Sequence, residues 1–294
     1  MNWFRVRNLS IGLGLSPALV VLVVLTLTPM LLNLYLAFTF WRGGVEDPRW
    51  VGLNNFQFLL NDPNFINSVV RSATFTFGSV AFQLVLGLLI AIMLTRRLRG
   101  SAFFRVALLM PMVMTPVVSA LTFKTLIYDP NWGLTGYAFD VLGFGRIAPL
   151  SDVNLAIVSV ILVDIWHWTP FMTITIFAGL LSIPDEPLEA AAIDGANAWQ
   201  RFRYVILPMV MPVLLVVTML RMLDAFRTFD MIYVMTQGGP GRVTMTLPIF
   251  IYETMFSFSN FGGAAAVGLA MTLFSFVLIA IFTRALAASR GTAY

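Results

Sequence analysis

Asp164 and His167 stand three residues apart in the middle of a long apolar run, with Trp166 and Trp168 flanking the histidine. Ionisable side chains in such a run are costly, which makes them candidates for function. On a helix they are surface neighbours. A carboxylate and an imidazole so placed can bond a second helix, contact a polar solute or pass a proton. Arg221, Asp224, Arg227 and Asp230 recur every three residues with alternating sign in another run. Counted from Leu207 at about 1.5 Å per residue, Arg221 lies about 21 Å along that helix, beyond the midplane of a bilayer. The row can neutralise itself as a structural ion-pair ladder or line a solute path, and both readings stay open. No His-Glu-x-x-His, serine–lysine dyad or comparable catalytic constellation appears. A Walker A loop needs Gly-Lys-Ser/Thr, and the one lysine, Lys124, follows Phe123. There is no cysteine, hence no disulfide framework, zinc–thiolate site or thiol nucleophile. No catalytic residue and no metal ligand is assigned.

The elements that must hold these groups are long and apolar. Hydrophobic residues make up 59% of the 294 residues and charged ones 11%, with a mean hydropathy of +0.87. A soluble domain is roughly a quarter charged. The apolar residues fall in runs that match the roughly 20 residues of a membrane-spanning helix. Continuous rather than alternating, these runs exclude a β-barrel. The fold class is an all-α polytopic membrane protein with six transmembrane helices in one domain, residues 1–294. The spans are placed at about 11–40, 68–95, 102–127, 153–181, 207–229 and 262–284. The first run, from Leu9 to Phe40, follows Arg5 and Arg7 but is too long for a signal peptide and lacks its cleavage site. Pro111 and Pro116 predict a bend in the third span. The Gly- and aromatic-rich loop at 128–152 predicts a short interfacial element.

Charge orients the spans. Arg5, Arg7, Arg96, Arg97, Arg99, Arg105, Arg201, Arg203, Arg284 and Arg290 all lie on one side. The opposite loops hold only Arg42, Arg49, Arg146 and Arg242, among acidic residues that include Glu46, Asp47, Asp62, Asp129, Asp140, Asp152 and Glu253. The positive-inside rule puts both termini and the polar segment 182–206 in the cytoplasm. The net charge of +4 is spread along span ends, which excludes a nucleic-acid surface. Arg71 and Lys124 can snorkel to the interface.

Segment 182–206 reads as a helix–turn–helix. Ser182-Ile-Pro-Asp185 has the spacing of a helix start, reinforced by Pro187. Glu186 and Glu189 favour its positive end, Ala190 to Ala192 extend it, and Gly195 supplies the left-handed stop. Asn197 then caps a second helix through Trp199, Phe202 and Tyr204, before Pro208 opens the fifth span. The ordered set Glu189, Ala190, Ala191, Asp194, Gly195 and Leu207-Pro208, ahead of the penultimate span, resembles the EAA coupling loop of binding-protein-dependent bacterial ABC importer permeases.

A second stretch, Asp224-Ala-Phe-Arg-Thr-Phe-Asp230 through Gly238-Gly-Pro240, is similar to the end of the fifth span in carbohydrate permeases of the maltose and trehalose type. With Phe261-Gly-Gly-Ala-Ala-Ala, the resemblance extends from about Asn54 to the C-terminus. It implies the type I importer permease fold and a multi-pass place in the bacterial cytoplasmic membrane. It also implies a second homologous permease, an external substrate-binding protein and two ATPase subunits that bind ATP and magnesium. No cofactor is expected in this chain. The implied activity is ATP-driven import of a sugar, glycoside or polyol, with Glu189, Ala190, Ala191, Asp194 and Gly195 docking the ATPase. Asp164, His167, Trp166, Arg221, Asp224 and Arg227 are the candidates for the solute pathway. Import of an anionic solute such as a glycerol phosphoester, with Arg221 and Arg227 as ligands, is the alternative. A proton-coupled carrier is a further one.

Overall fold

The structure, a computed structural model, describes residues 3–44, 47–95, 101–143 and 145–291. Helix α1 (Trp3–Ala37) leads into a two-residue antiparallel pair, β1 (Thr39–Phe40) and β2 (Arg49–Trp50), with Thr39 opposite Trp50. Then come α2 (Asn54–Asn61), α3 (Pro63–Thr95), α4 (Ser101–Val113), α5 (Pro116–Thr122) and α6 (Leu134–Val141). Helices α7 (Ala156–Leu181), α8 (Asp185–Ile193), α9 (Ala198–Arg201) and α10 (Leu207–Phe226) follow. The chain ends with α11 (Asp230–Thr236), α12 (Leu247–Tyr252) and α13 (Phe261–Gly291). Arg96, Arg97, Arg99 and Glu46 of the charge pattern lie outside the described residues.

Among the described residues five helical segments are long and apolar enough to cross a membrane: Leu15–Ala37, Pro63–Thr95, Ala156–Leu181, Ala198–Phe226 and Phe261–Ser289. Val106–Val113 and Pro116–Ile127, bent by 98° at their junction, pass the same test only as a pair and bring the number of candidate spans to six when counted as one broken span. The fold is therefore the all-α polytopic one, with its third span interrupted. The break falls at Met114 and Thr115, between the two prolines. Thr115 is extended and its hydroxyl accepts the Val118 N–H at 3.4 Å, while Pro116 begins the new helix. A proline there loses no helical hydrogen bond, and it drives the residue before it out of the helical region. The short element expected in the loop at 128–152 is α6.

The fifth span differs from expectation at both ends. It does not open at Leu207-Pro208, because helix runs on from Ala198 to Phe226. Pro208 has no N–H, and its ring would clash with the Tyr204 carbonyl in a regular helix. A π turn at Phe202–Ile206 relieves this, with the Leu207 N–H reaching back to the Phe202 carbonyl.

The chain divides into two compact units, residues 1–62 with 251–272 and residues 63–250 with 273–294. In the first, the Asn55 side chain donates to the carbonyls of Ala37 and Thr39, both at 2.9 Å, fastening α2 to the strand pair. In the second, α3, α7 and α10 pack around Ala91, Met172, Ile176, Val210, Leu214 and Val217. Glycine makes this packing possible, since small residues let helix backbones approach closely in a membrane. A Cβ on Gly87 would lie 2.8 Å from Met172 Cβ, and one on Gly179 would lie 2.9 Å from Val213 Cγ1.

Candidate functional site

Two groups of candidate residues occupy the second unit. The first is the elbow between α7 and α10. Helix α8 begins at Asp185, with Pro184 in the capping position and no side-chain cap. Ser182 is therefore not the cap that its spacing from Asp185 predicts. Its hydroxyl instead donates back to the Gly179 carbonyl at 2.7 Å and finishes α7. The other signals act as read. Gly195 has φ +78° and ends α8 in the left-handed turn. Asn197 caps α9 with a reciprocal box: its side chain accepts the Gln200 N–H at 2.9 Å, and its own N–H donates to Gln200 Oε1 at 2.8 Å. Glu189, Ala190, Asp194 and Gly195 are exposed and Ala191 is half-buried. Beside them Ile193 is 86% exposed. The elbow thus offers a small-residue surface edged by carboxylates, with Trp199 and Tyr204 also exposed.

The second group is a charge cluster inside the three-helix packing. Arg221 on α10 is 1% exposed and Asp164 on α7 fully buried, with Arg221 Nη2 donating to Asp164 Oδ2 at 2.5 Å. The other guanidinium arm donates to Asp224 Oδ2 at 2.9 Å. Gln83 on α3 donates to the same Asp164 oxygen at 2.8 Å and to the Asp164 carbonyl at 3.0 Å. The Trp168 ring lies under the guanidinium, 5.0 Å from its carbon, an attractive placement for a cation. Low dielectric strengthens the contacts among the buried members, Arg221, Asp164 and Gln83.

Asp164 and His167 take different hydrogen-bond partners. His167 Nδ1 pairs with the Ser119 hydroxyl of α5 at 3.0 Å. Trp166 packs against Phe123, ring centroids 5.0 Å apart, and lies 6.5 Å from the His167 ring. The four-residue charge row is not one helical stripe, because α10 stops at Phe226 and α11 starts at Asp230. Arg221 is buried, whereas Asp224, Arg227 and Asp230 are exposed. Sequence reasoning missed Gln83 and Ser119 as partners. A lone amide within the apolar run of α3 was the available signal for Gln83; nothing marked Ser119. Among the described residues no three His, Asp or Glu side chains gather to hold a metal ion.

The model of one family, binding-protein-dependent transport system inner membrane component, matches residues 83–289. That range includes the elbow and the cluster. The chain belongs to this family. It is a multi-pass membrane component of that kind of transport system. The trehalose/maltose transport system permease protein MalF of Thermococcus litoralis is 34% identical over 95% of this chain and 93% of its own length. The trehalose transport system permease protein SugA of Mycobacterium tuberculosis is 32% identical over 91% of this chain and 86% of its own. Among solved structures, a bacterial ABC transporter for import of the acidic polysaccharide alginate has a chain that superposes with a TM-score of 0.80. That chain is 21% identical, with coverage of 98% of this chain and 97% of its own. At that identity the likeness is one of fold.

Proposed function

We propose that this chain is the permease subunit of an ATP-driven importer that moves a sugar, glycoside or polyol across the cytoplasmic membrane by alternating access. The carrying observation is the elbow between α7 and α10. Its exposed Glu189-to-Gly195 turn is held by a left-handed glycine and a capping box and is continuous with the fifth span. Two ATPase subunits carrying ATP and magnesium would close against this elbow and its counterpart on a second permease. Closure swings the attached spans so that the pathway opens outward to a substrate-binding protein, and hydrolysis returns it inward. The elbow then lies in the cytoplasm with both termini.

The saccharide class draws support from relatives named for trehalose, maltose and multiple sugars. It also draws support from electrostatics. An anion ligand needs unspent positive charge, and Arg221 already faces two carboxylates, which leaves only the exposed Arg227 of the two candidate anion ligands. A free proton carrier would leave the elbow without a task.

The test is ATP hydrolysis and uptake by the reconstituted assembly with its binding protein. Neutral saccharides or polyols should stimulate both, and glycerol phosphoesters should not. Stimulation by the phosphoesters alone overturns the solute class. Uptake by this chain alone, driven by a pH gradient without ATP, overturns the whole reading.

A further inference from the structure

We propose that Asp164 and Arg221 are positioning residues: a buried ionic clamp that makes α7 and α10 one lever, so that motion at the elbow reaches the far half of the membrane undiminished. This rests on the reading of the 182–206 elbow as the ATPase contact. The geometry is that of a hairpin. The elbow joins α7 to α10, so any load on it can either move the two helices together or open them like scissors.

Two fastenings between α7 and α10 oppose the scissor motion, at different heights, and between them α3 braces α7. Nearest the elbow, Gly179 lets Val213 pack directly on the α7 backbone. Midway, Gly87 of α3 sits against Met172, two residues past the buried Pro170, where a helix is otherwise prone to bend. Farthest out is the Asp164–Arg221 pair, fifteen residues or about 22 Å of helix from Gly179. Leverage is longest there, and there the contact changes from van der Waals to ionic. Gln83 donates twice to Asp164 and so adds α3 to the same body.

A solute ligand would look different. Asp164 and Arg221 are 0% and 1% exposed and paired to each other, and the aromatic face beside them is occupied by the guanidinium, although Asp164 Oδ1 and Arg221 Nε keep no hydrogen-bond partner. Asp224, the exposed partner, is the member of the cluster left open to solute.

Removing one member strands a buried charge, whereas replacing the whole set by apolar side chains of similar volume preserves packing. The experiment uses the complete transporter with its binding protein and a saccharide that stimulates it. Uptake per ATP hydrolysed is compared for wild type, D164N, R221M and the apolar set Q83L/D164L/R221M. Gln83 is included so that no buried amide is left unpaired. The single variants should lose on the order of tenfold in uptake per ATP, and the apolar set should return to within about twofold of wild type. Spin labels on exposed Leu162 of α7 and Leu220 of α10 give a second readout. The chain has no cysteine, so its labelled sites are unambiguous. Their separation should be the same with and without trapped ATP.

Normal uptake per ATP in D164N and R221M overturns the clamp. So does an apolar set that assembles but stays uncoupled, because the charges would then act on the solute directly. A label separation that changes between states by about one helical turn, ~5 Å, overturns it as well. Each of these results leaves the permease assignment intact. A wild-type complex without ATP-dependent uptake overturns both.

Discussion

Gly195 shows how much one residue can specify. Its φ of +78° lies in the left-handed region, which costs other residues roughly 1–2 kcal/mol. A Cβ built there would touch nothing in the chain. Substitution at Gly195 therefore acts on the turn and on whatever docks against it, not on internal packing. Gly195→Trp should insert and assemble normally yet uncouple transport from ATP hydrolysis, read as uptake per ATP in the reconstituted complex. Normal transport by that variant would end the assignment of this turn as the contact. Asn197 is the second such residue. Loss of its cap in Asn197→Ala costs about 1 kcal/mol, and limited proteolysis should then cleave near the turn sooner, with insertion unchanged. Both roles were readable in the sequence because a left-handed stop and a helix cap are local. Ser182 was misread for a matching reason: two helix ends compete for its hydroxyl, and only their relative position settles that it closes α7.

At the scale of elements, the informative feature is the fusion of the elbow to the fifth span. A proline usually announces a helix start, and Pro208 reads that way in the sequence. The π turn at Phe202–Ile206 instead absorbs the missing hydrogen bond, so α9 and α10 form one continuous rod. A continuous rod transmits torque where a hinged one would not. The close approach of α7 to α10 depends on Gly179, and Gly179→Leu would drive side-chain atoms into Val213. Overpacking of this kind costs about 1–3 kcal/mol, expected as a lower Tm of the detergent-solubilised complex. Charged residues at regular spacing proved a poorer guide. Spacing by threes suggests a ladder only while the helix continues, and this helix stops at Phe226. The signal for the stop is non-local, since nothing between Phe226 and Asp230 is a glycine or proline.

For the whole molecule, the arginine asymmetry predicts one orientation. The chain's lack of cysteine allows a clean test with single cysteines at two exposed positions, Ala192 in the elbow and Ser151 before α7. A membrane-impermeant thiol reagent should label Ser151→Cys from outside intact cells. It should label Ala192→Cys only in inverted vesicles. The reverse pattern would place the elbow out of reach of any cytoplasmic ATPase.

Composition and run length alone determined that this is a helical membrane protein with five to six apolar spans. The hydrophobic thickness of a bilayer leaves few other uses for so many apolar residues in blocks of that size. The elbow was also legible, because caps, stops and breakers act on neighbours in the chain. What only the tertiary structure decided is which charge meets which. Asp164 chose Arg221 and Gln83 over His167, Trp168 rather than Trp166 came to face the guanidinium, and the third span broke outright instead of bending. Partners on different helices are fixed by how the helices pack, and the spacing of residues along a single helix carries no record of the face its neighbour presents.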